Sequence, residues 1–315
     1  MPGCMAAVDM GFPFRHEPWR IALIGARGML ARKVLAASPA NAAVTGFDLP
    51  EFDITRPDQV LEALATLRPD LIINCAAFTA VDQCETEEVL ATAVNGTAVG
   101  SLAGVAAEVG ALLVHISTDY VFAGSKGSPY LETDPVGPLS AYGRSKLAGE
   151  QAVTCSGLRR YLIIRTSWLH GPNGKNFVGT ILRLAKEREE LRVVADQVGS
   201  PTFTGDLATA IFNLAAMVLQ GEEQGRSDLY GVYHFANSGQ CSWHGFSEAV
   251  IEEARALGMP LIAKRVVPIA TAEYPLPAPR TAWSVLSTQR YREVTGCDVP
   301  AWQDGLQRHL LELYN

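Results

Sequence analysis

The chain is predicted to fold as an α/β protein, a doubly wound parallel sheet with a second, smaller α/β lobe for substrate. Two observations carry this. Short, almost continuously apolar stretches, such as Arg20-Ile21-Ala22-Leu23-Ile24-Gly25, alternate with stretches whose apolar residues recur at helical spacing, as strands covered on both faces require. The first apolar stretch also runs straight into Gly25-Ala26-Arg27-Gly28-Met29-Leu30-Ala31, a glycine turn that opens a helix.

Taken in order, residues 20–25 are the first strand. Gly25 and Gly28 let the backbone approach a pyrophosphate, and the next helix turns unpaired N–H groups and its positive dipole toward it. Ala31 stands where a third glycine is usual, and its methyl tightens helix against strand. Residues 43–48 form a second strand ending in Asp48, about 20 positions past the turn, where a carboxylate can accept from an adenosine ribose. Asp53 and Ile54 lie in a loop placed to pass the adenine, and residues 56–67 are helical. Residues 70–77 are a third buried strand whose small end, Ala76 and Ala77, leaves space for a cofactor. Helices over 85–109, 141–155 and 175–189, with strands over 111–117 and 161–167, complete a Rossmann-type sheet.

The chemistry is concentrated between residues 117 and 146. Ser117-Thr118-Asp119-Tyr120-Val121-Phe122 follows an apolar strand, and Tyr142 and Lys146 stand on one helix face behind Pro138-Leu139-Ser140. Acid catalysis at a carbonyl needs a group that hydrogen-bonds the oxygen and one that protonates it; Thr118 and Tyr142 supply them. Free tyrosine, with a pKa of about 10, is a poor acid near neutrality. An ammonium one helical turn away, that of Lys146, is expected to favour the phenolate and lower the value. Without the strand-end hydroxyl and the upstream glycine turn, such a pair would read as a solvated helix face.

Composition narrows the class. The 315 residues, 48% hydrophobic, can bury a large core. A net charge of −7, from 26 basic and 33 acidic residues without long runs, argues against a nucleic-acid surface. The six cysteines lie far apart without CxxC pairs and are expected to be reduced thiols of a cytoplasmic protein. No apolar run approaches a membrane span, so no membrane partner is expected. The histidines lack metal-ligand spacing, and His115, on a central strand, is expected to be a satisfied core residue. Residues 1–18 carry neither element pattern nor signal-peptide core and are expected to be a disordered leader, with Met5 and Met10 as alternative starts.

Ordered blocks then spell a family: Arg68-Pro69-Asp70 with Asn74-Cys75-Ala76-Ala77-Phe78-Thr79-Ala80-Val81-Asp82, the 117–122 block, Pro138-Leu139-Ser140-Ala141-Tyr142-Gly143-Arg144-Ser145-Lys146, Arg165-Thr166-Ser167-Trp168, and Asp196-Gln197-Val198-Gly199-Ser200-Pro201-Thr202. From about Arg20 to Leu313 the chain resembles the extended short-chain dehydrogenase/reductases and, within them, the dTDP-4-dehydrorhamnose reductases. The resemblance implies that Thr118, Tyr142 and Lys146 are catalytic. A hydride from NADPH or NADH would reach C4 of dTDP-4-dehydro-6-deoxy-L-mannose while Tyr142 protonates the oxygen, giving dTDP-L-rhamnose. Lys146 would also hold the nicotinamide ribose. Gly25, Arg27, Gly28 and Met29 would cover the pyrophosphate, Asp48, Asp53 and Ile54 the adenosine, and Ala76, Ala77 and Asn95 the middle of the cofactor. Val81, Thr118, Trp168 and Asn176 would line the sugar nucleotide, and Arg280 would meet a phosphate. Asp48 favours NADH and Arg27 a 2′-phosphate, so both cofactors are expected to work.

The same resemblance defines the alternatives. Sibling dehydratases carry Thr-Asp-Glu where this chain has Thr118-Asp119-Tyr120, which leaves no glutamate base. Another 4-keto-sugar reductase, an epimerase, and a non-catalytic NADP-binding subunit like that of methionine adenosyltransferase remain as rivals. The loop Pro279-Arg280-Thr281-Ala282-Trp283-Ser284-Val285-Leu286 departs from the usual Pro-Arg-Pro. Glu189 and Glu190 match a segment that joins Mg2+ at a dimer interface in some relatives; a solvated helix end is the simpler account, and no metal is assigned. The expected partners are a nucleotide sugar and, at most, a second copy of the chain. The dinucleotide domain is expected over 19–168, 206–236 and 286–303, and the substrate domain over 169–205 and 237–285.

Overall fold

The computed structural model describes residues 12, 13 and 17–314. The chain runs β1 (Trp19–Ile24), α1 (Met29–Ala36), β2 (Ala42–Phe47), α2 (Pro57–Leu67), β3 (Leu71–Asn74), α3 (Val81–Cys84), α4 (Glu88–Thr92), a π-helical turn (Ala93–Thr97) and α5 (Ala98–Val109). Next come β4 (Leu112–Thr118), α6 (Ala141–Cys155), β5 (Tyr161–Thr166), β6 (Leu169–His170), α7 (Phe177–Glu187), β7 (Glu190–Val194), β8 (Val198–Gly199) and β9 (Thr202–Phe203). It closes with α8 (Thr204–Glu223), β10 (Gly231–His234), β11 (Cys241–Ser242), α9 (Trp243–Ala256), β12 (Arg265–Ile269), α10 (Gln289–Thr295) and α11 (Trp302–Tyr314).

The main sheet has the order β10-β5-β4-β3-β1-β2, with every pair parallel. Strand alternation divides the core between its two faces. Ile21, Leu23, Leu71, Ile73, Leu112 and Val114 pack with α1 and α8, whereas Ala22, Ile24, Ile72 and Leu113 pack with α2 and α5. Strand order reverses at β1, where β2 lies on one side and β3 on the other, and the carboxyl ends around such a crevice are where ligands bind in this class of fold.

A separate core joins α7, α9, α11 and β7 through Val178, Ile181, Leu191, Phe246, Val250, Trp302, Leu306 and Leu310. Small sheets tie this lobe down: β7 with β12, β8 with β11, and β6 with β9. Asn176 caps α7 and Ser242 caps α9, each accepting from a backbone N–H three residues on, which satisfies a donor that the helix leaves unpaired.

Three sequence expectations change. Phe12 does not belong to a disordered leader; it is buried against Trp19 and Phe212, at ring-centroid distances of 5.3 and 6.0 Å. Residues 1–11 and 14–16 of the leader, with Met5 and Met10, lie outside the described residues. The helix expected over 85–109 starts at Glu88 and contains the π turn. The stretch Glu88–Val109 is also long and apolar enough, at 22 residues with an 18-residue window of mean hydropathy 1.5, to span a membrane by length and composition alone. Half of that window is buried, as in a core helix, because α5 packs Val99, Leu102 and Ala103 on the sheet.

Candidate active site

The cofactor end is built by close backbone approach. Gly25 has φ +76°, and a Cβ there would lie 2.7 Å from Ala76 N, so any side chain would drive β1 and β3 apart at the crevice. Gly28 stands at the N-cap of α1 without a side-chain cap, leaving the first-turn N–H groups directed outward. A cavity of about 340 Å³ lies between this turn and the loop after β2, lined by Gly25, Arg27, Gly28, Asp48, Asp53, Ile54, Ala76 and Ala77. Asp48 accepts from Arg27 N at 2.7 Å and Leu49 N at 2.8 Å. The Arg27 guanidinium bonds Leu49 O and Glu51, the latter at 2.9 Å, at the rim of the same cavity.

A second cavity, about 580 Å³, shares Gly28, Cys75 and Ala77 with the first and opens toward the second lobe. Met29, Val81, Thr118, Asp119, Tyr120, Tyr142, Lys146, Trp168, Lys175 and Trp243 line it. Thr118 ends β4, where its Oγ1 accepts from Tyr120 N at 3.2 Å and donates to Asp119 Oδ1 at 3.0 Å. Tyr142 and Lys146 are on α6, whose N-cap Ser140 accepts from Gly143 N. Gly143 has to be glycine: a Cβ there would sit 2.3 Å from Tyr120 O, so α6 could not bring Tyr142 up to the end of β4. The Tyr142 ring meets that of Tyr120 edge-on at 5.4 Å.

The electrostatics differ from the sequence expectation at Tyr142. Burial holds its hydroxyl well above the ordinary tyrosine value, the Asp119 carboxylate pushes it further up, and a hydrogen bond with Thr118 opposes them. Lys146 turns away from it, its Nζ donating to Ile116 O at 2.7 Å, and burial pushes the value of Lys146 itself down to about 8. Asp119 is raised to about 6, also by burial, against the Thr118 hydrogen bond. Beneath them Arg165 and Glu150 form a buried ion pair at 2.6 Å, and Ser117 Oγ donates to the same carboxylate at 2.5 Å.

A third cavity of about 550 Å³ continues from Tyr120 and Trp243 into the second lobe, lined by Phe177, Ile181, Leu184, Arg188, Arg192, Gln197, Tyr274 and Arg280. Arg280 points into this region while paired with Asp82 at 2.9 Å.

Most of the residues proposed from sequence thus converge on this connected cleft. Two do not line it. Asn95 is fully buried in the π turn and spends its amide on Phe78 N, Phe78 O and Ser145 Oγ, which clamps the loop after β3 to α6. Asn176 is the α7 cap and donates to Gly171 O at 2.7 Å, so it shapes the loop that covers Met29 rather than facing ligand. The Glu189 and Glu190 carboxylates pair with Lys264, at 2.9 Å, and with Arg265. Among the described residues no cluster of three or more His, Cys, Asp or Glu side chains is placed to hold a metal.

Sequence reasoning missed Trp243, which stacks on Trp168 and belongs to two of the three cavities, and Arg188 and Arg192 beside Arg280. Its only local signal was the Ser242 cap before an aromatic residue at the start of a helix. Trp168 itself adopts φ +47°, and Gly199 makes room for its indole, since a Cβ at 199 would meet Trp168 Cε2 at 2.4 Å.

Residues 19–315 match the family model described as the RmlD substrate binding domain. The chain is 43% identical to a dTDP-4-dehydrorhamnose reductase of Burkholderia thailandensis over 90% of its own length and 95% of that protein. The crystal structure of a dTDP-4-dehydrorhamnose reductase from Clostridium acetobutylicum superposes with a TM-score of 0.86 at 37% identity, covering 94% of this chain and 100% of the other. That of the Bacillus anthracis dTDP-4-dehydrorhamnose reductase in complex with NADP gives 0.83 at 39% identity, covering 94% and 99%.

Proposed function

The chain belongs to the RmlD substrate-binding-domain family, and from that footing we propose that it reduces the C4 keto group of dTDP-4-dehydro-6-deoxy-L-mannose to dTDP-L-rhamnose, with NADPH or NADH as reductant. One observation supports this most directly: Thr118, Tyr142 and Lys146 line a single cavity that is continuous with the glycine-turn cavity on one side and the arginine-bearing cavity on the other. A bound nicotinamide supplies the hydride. The chain supplies the rest.

Gly25, Gly28 and the open first turn of α1 favour a pyrophosphate, and the small Ala76 and Ala77 leave room beside it. Asp48 suits a free ribose 2′-hydroxyl and Arg27, at the same rim, a 2′-phosphate, so this chain has a partner for either cofactor. Thr118, turning its hydroxyl proton from Asp119 to the sugar carbonyl oxygen, orients that carbonyl. Tyr142, kept protonated by burial, hands its proton to the developing alkoxide, so the hydride on C4 and this proton on the oxygen complete the alcohol. The Trp168–Trp243 stack walls the sugar, while Arg188, together with Arg192 and Arg280, which are paired with Glu273 and Asp82, offers the guanidinium donors of the third cavity to a nucleoside diphosphate.

The test follows oxidation of NADPH and NADH by absorbance, with the 4-keto sugar nucleotide generated in place by a 3,5-epimerase, for the wild type and Tyr142→Phe. Sugar-dependent oxidation that collapses in the variant is the expected result. Cofactor binding without oxidation would overturn the assignment.

A further inference from the structure

Behind Lys146 runs a chain of buried polar contacts that the reaction above does not use. Ala76 N–H donates to Asn74 Oδ1 at 3.1 Å, Asn74 Nδ2 lies 3.1 Å from His115 Nδ1, and His115 Nε2 lies 3.4 Å from Lys146 Nζ. The direction of each contact follows from the first. A backbone N–H can only donate, so it fixes the Asn74 oxygen toward Ala76 and turns the Asn74 NH2 group, also only a donor, toward His115. An Nδ1 that accepts leaves the proton of a neutral ring on Nε2. The ring is neutral, because full burial holds His115 well below the ordinary histidine range.

His115 therefore aims an N–H at Lys146 Nζ. An amine can accept that hydrogen with its lone pair while donating to Ile116 O at 2.7 Å, whereas an ammonium opposes N–H to N–H. The approach depends on Gly149, where a Cβ would stand 2.2 Å from Asn95 O and 3.5 Å from His115 Nε2. The other ionisable groups facing Lys146 are Glu150 on α6 and Cys75 at the end of β3. Glu150 favours the ammonium but is already engaged by Arg165 and Ser117, and the Cys75 thiol, pushed up to about 12 by burial, stays uncharged.

We propose that His115 is a positioning residue for Lys146: fixed as its Nε2–H tautomer by Asn74, it favours the amine in the free site and so couples entry of a cofactor ribose to uptake of a proton by Lys146. The coupling rests on the cofactor reading above; the tautomer does not. The proton comes from solvent and remains on Nζ, where ribose hydroxyls accept from it.

Two measurements on the full chain test this. Histidine-selective 15N labelling reads the tautomer of His115 in the free protein, and calorimetry of NADPH binding in buffers of different ionisation enthalpy reads proton uptake at and above pH 8. The wild type is expected to show Nε2–H and net uptake. Asn74→Asp, nearly isosteric, should turn the ring to Nδ1–H, leave Nε2 to accept from the ammonium, and abolish the uptake. Should that variant fail to fold, His115→Gln, whose side-chain oxygen can face the ammonium, should reduce the uptake. An Nδ1–H ring in the free wild type, or uptake that is absent from the wild type or unchanged in the folded variants, would overturn the proposal. Failure to bind NADPH at all strikes the cofactor reading instead and leaves the tautomer to decide.

Discussion

The indole of Trp168 lies flat on that of Trp243, with ring centroids 3.4 Å apart and planes 5° from parallel. One residue follows β5 of the main sheet and the other opens α9, and both pack against the core of the second lobe at the wall of the cleft. Trp243→Ala removes a stacked aromatic contact worth about 0.5–1.5 kcal/mol beyond its buried area. The expected outcome is a rise of up to about tenfold in KM for the sugar nucleotide, with kcat and the KM for NADPH little changed. Steady-state kinetics against each substrate decide it, and an effect confined to the cofactor would show that the stack serves the other end of the cleft.

Lys146 and Tyr142 set the pH dependence. In the reductive direction Tyr142 must be protonated, and burial keeps it so through the neutral range. In the proposed reaction Lys146 holds the ribose hydroxyls most strongly as the ammonium, and in the free protein its value is down at about 8. Activity expressed as kcat/KM for the cofactor should therefore be retained below that value and fall as pH rises through it, because the protonated form of the free enzyme is lost. Lys146→Arg, which stays charged, should shift the basic limb upward at the expense of kcat. A profile flat to pH 10 in the wild type would contradict this assignment.

Asp119 carries a cost of its own. Its carboxyl is raised from the ordinary aspartate value to about 6 by burial, so the folded state binds a proton more tightly than the unfolded chain. Stability from this group is full below the ordinary aspartate pKa and is lost as pH rises through about 6. Asp119→Asn should consequently be more stable than the wild type at pH 7, by up to about 3 kcal/mol, and the advantage should vanish near pH 4. Thermal melts of both proteins across that window give the sign directly. The gain should be accompanied by lost activity, since Thr118 donates to this carboxylate and would be reoriented by an amide.

How much of this was legible in sequence depended on how local the signal was. The glycine turn, Asp48 at the end of β2, and Tyr142 one helical turn before Lys146 are set by neighbours in the chain, and the structure brings them to one cleft. Asn95 read as a ligand residue because its position matches the family pattern, yet it sits in a π turn that no periodicity announces and its amide is taken by Phe78 and Ser145. The contact of His115 with Lys146 depends on the register of β4 under α6, and that of Trp243 with Trp168 on the segment after β5 meeting the start of α9; neither spacing exists along the chain. The charge on Tyr142 was misjudged for the same reason, because desolvation is a property of the packed site and outweighs a cation that points elsewhere.

Glu150 and Arg165 provide the sharpest test of what holds the end of β4 in place. Their side chains are each 5% exposed, joined by contacts of 2.6 and 2.9 Å, and Glu150 also accepts from Ser117, the residue before Thr118. Removing one partner leaves an uncompensated buried charge, which costs about 3–5 kcal/mol, whereas replacing both by apolar side chains of similar size is often neutral. Glu150→Ala should therefore lower the denaturant midpoint sharply, and Glu150→Leu combined with Arg165→Met should recover much of that loss. Recovered stability need not bring recovered activity. With Ser117 left without its acceptor, Thr118 is free to turn from the cleft, and kcat should stay depressed in the double variant. If kcat returned together with the midpoint, the pair would be serving stability alone, and the placement of Thr118 would have to come from Asp119 and the backbone of Tyr120.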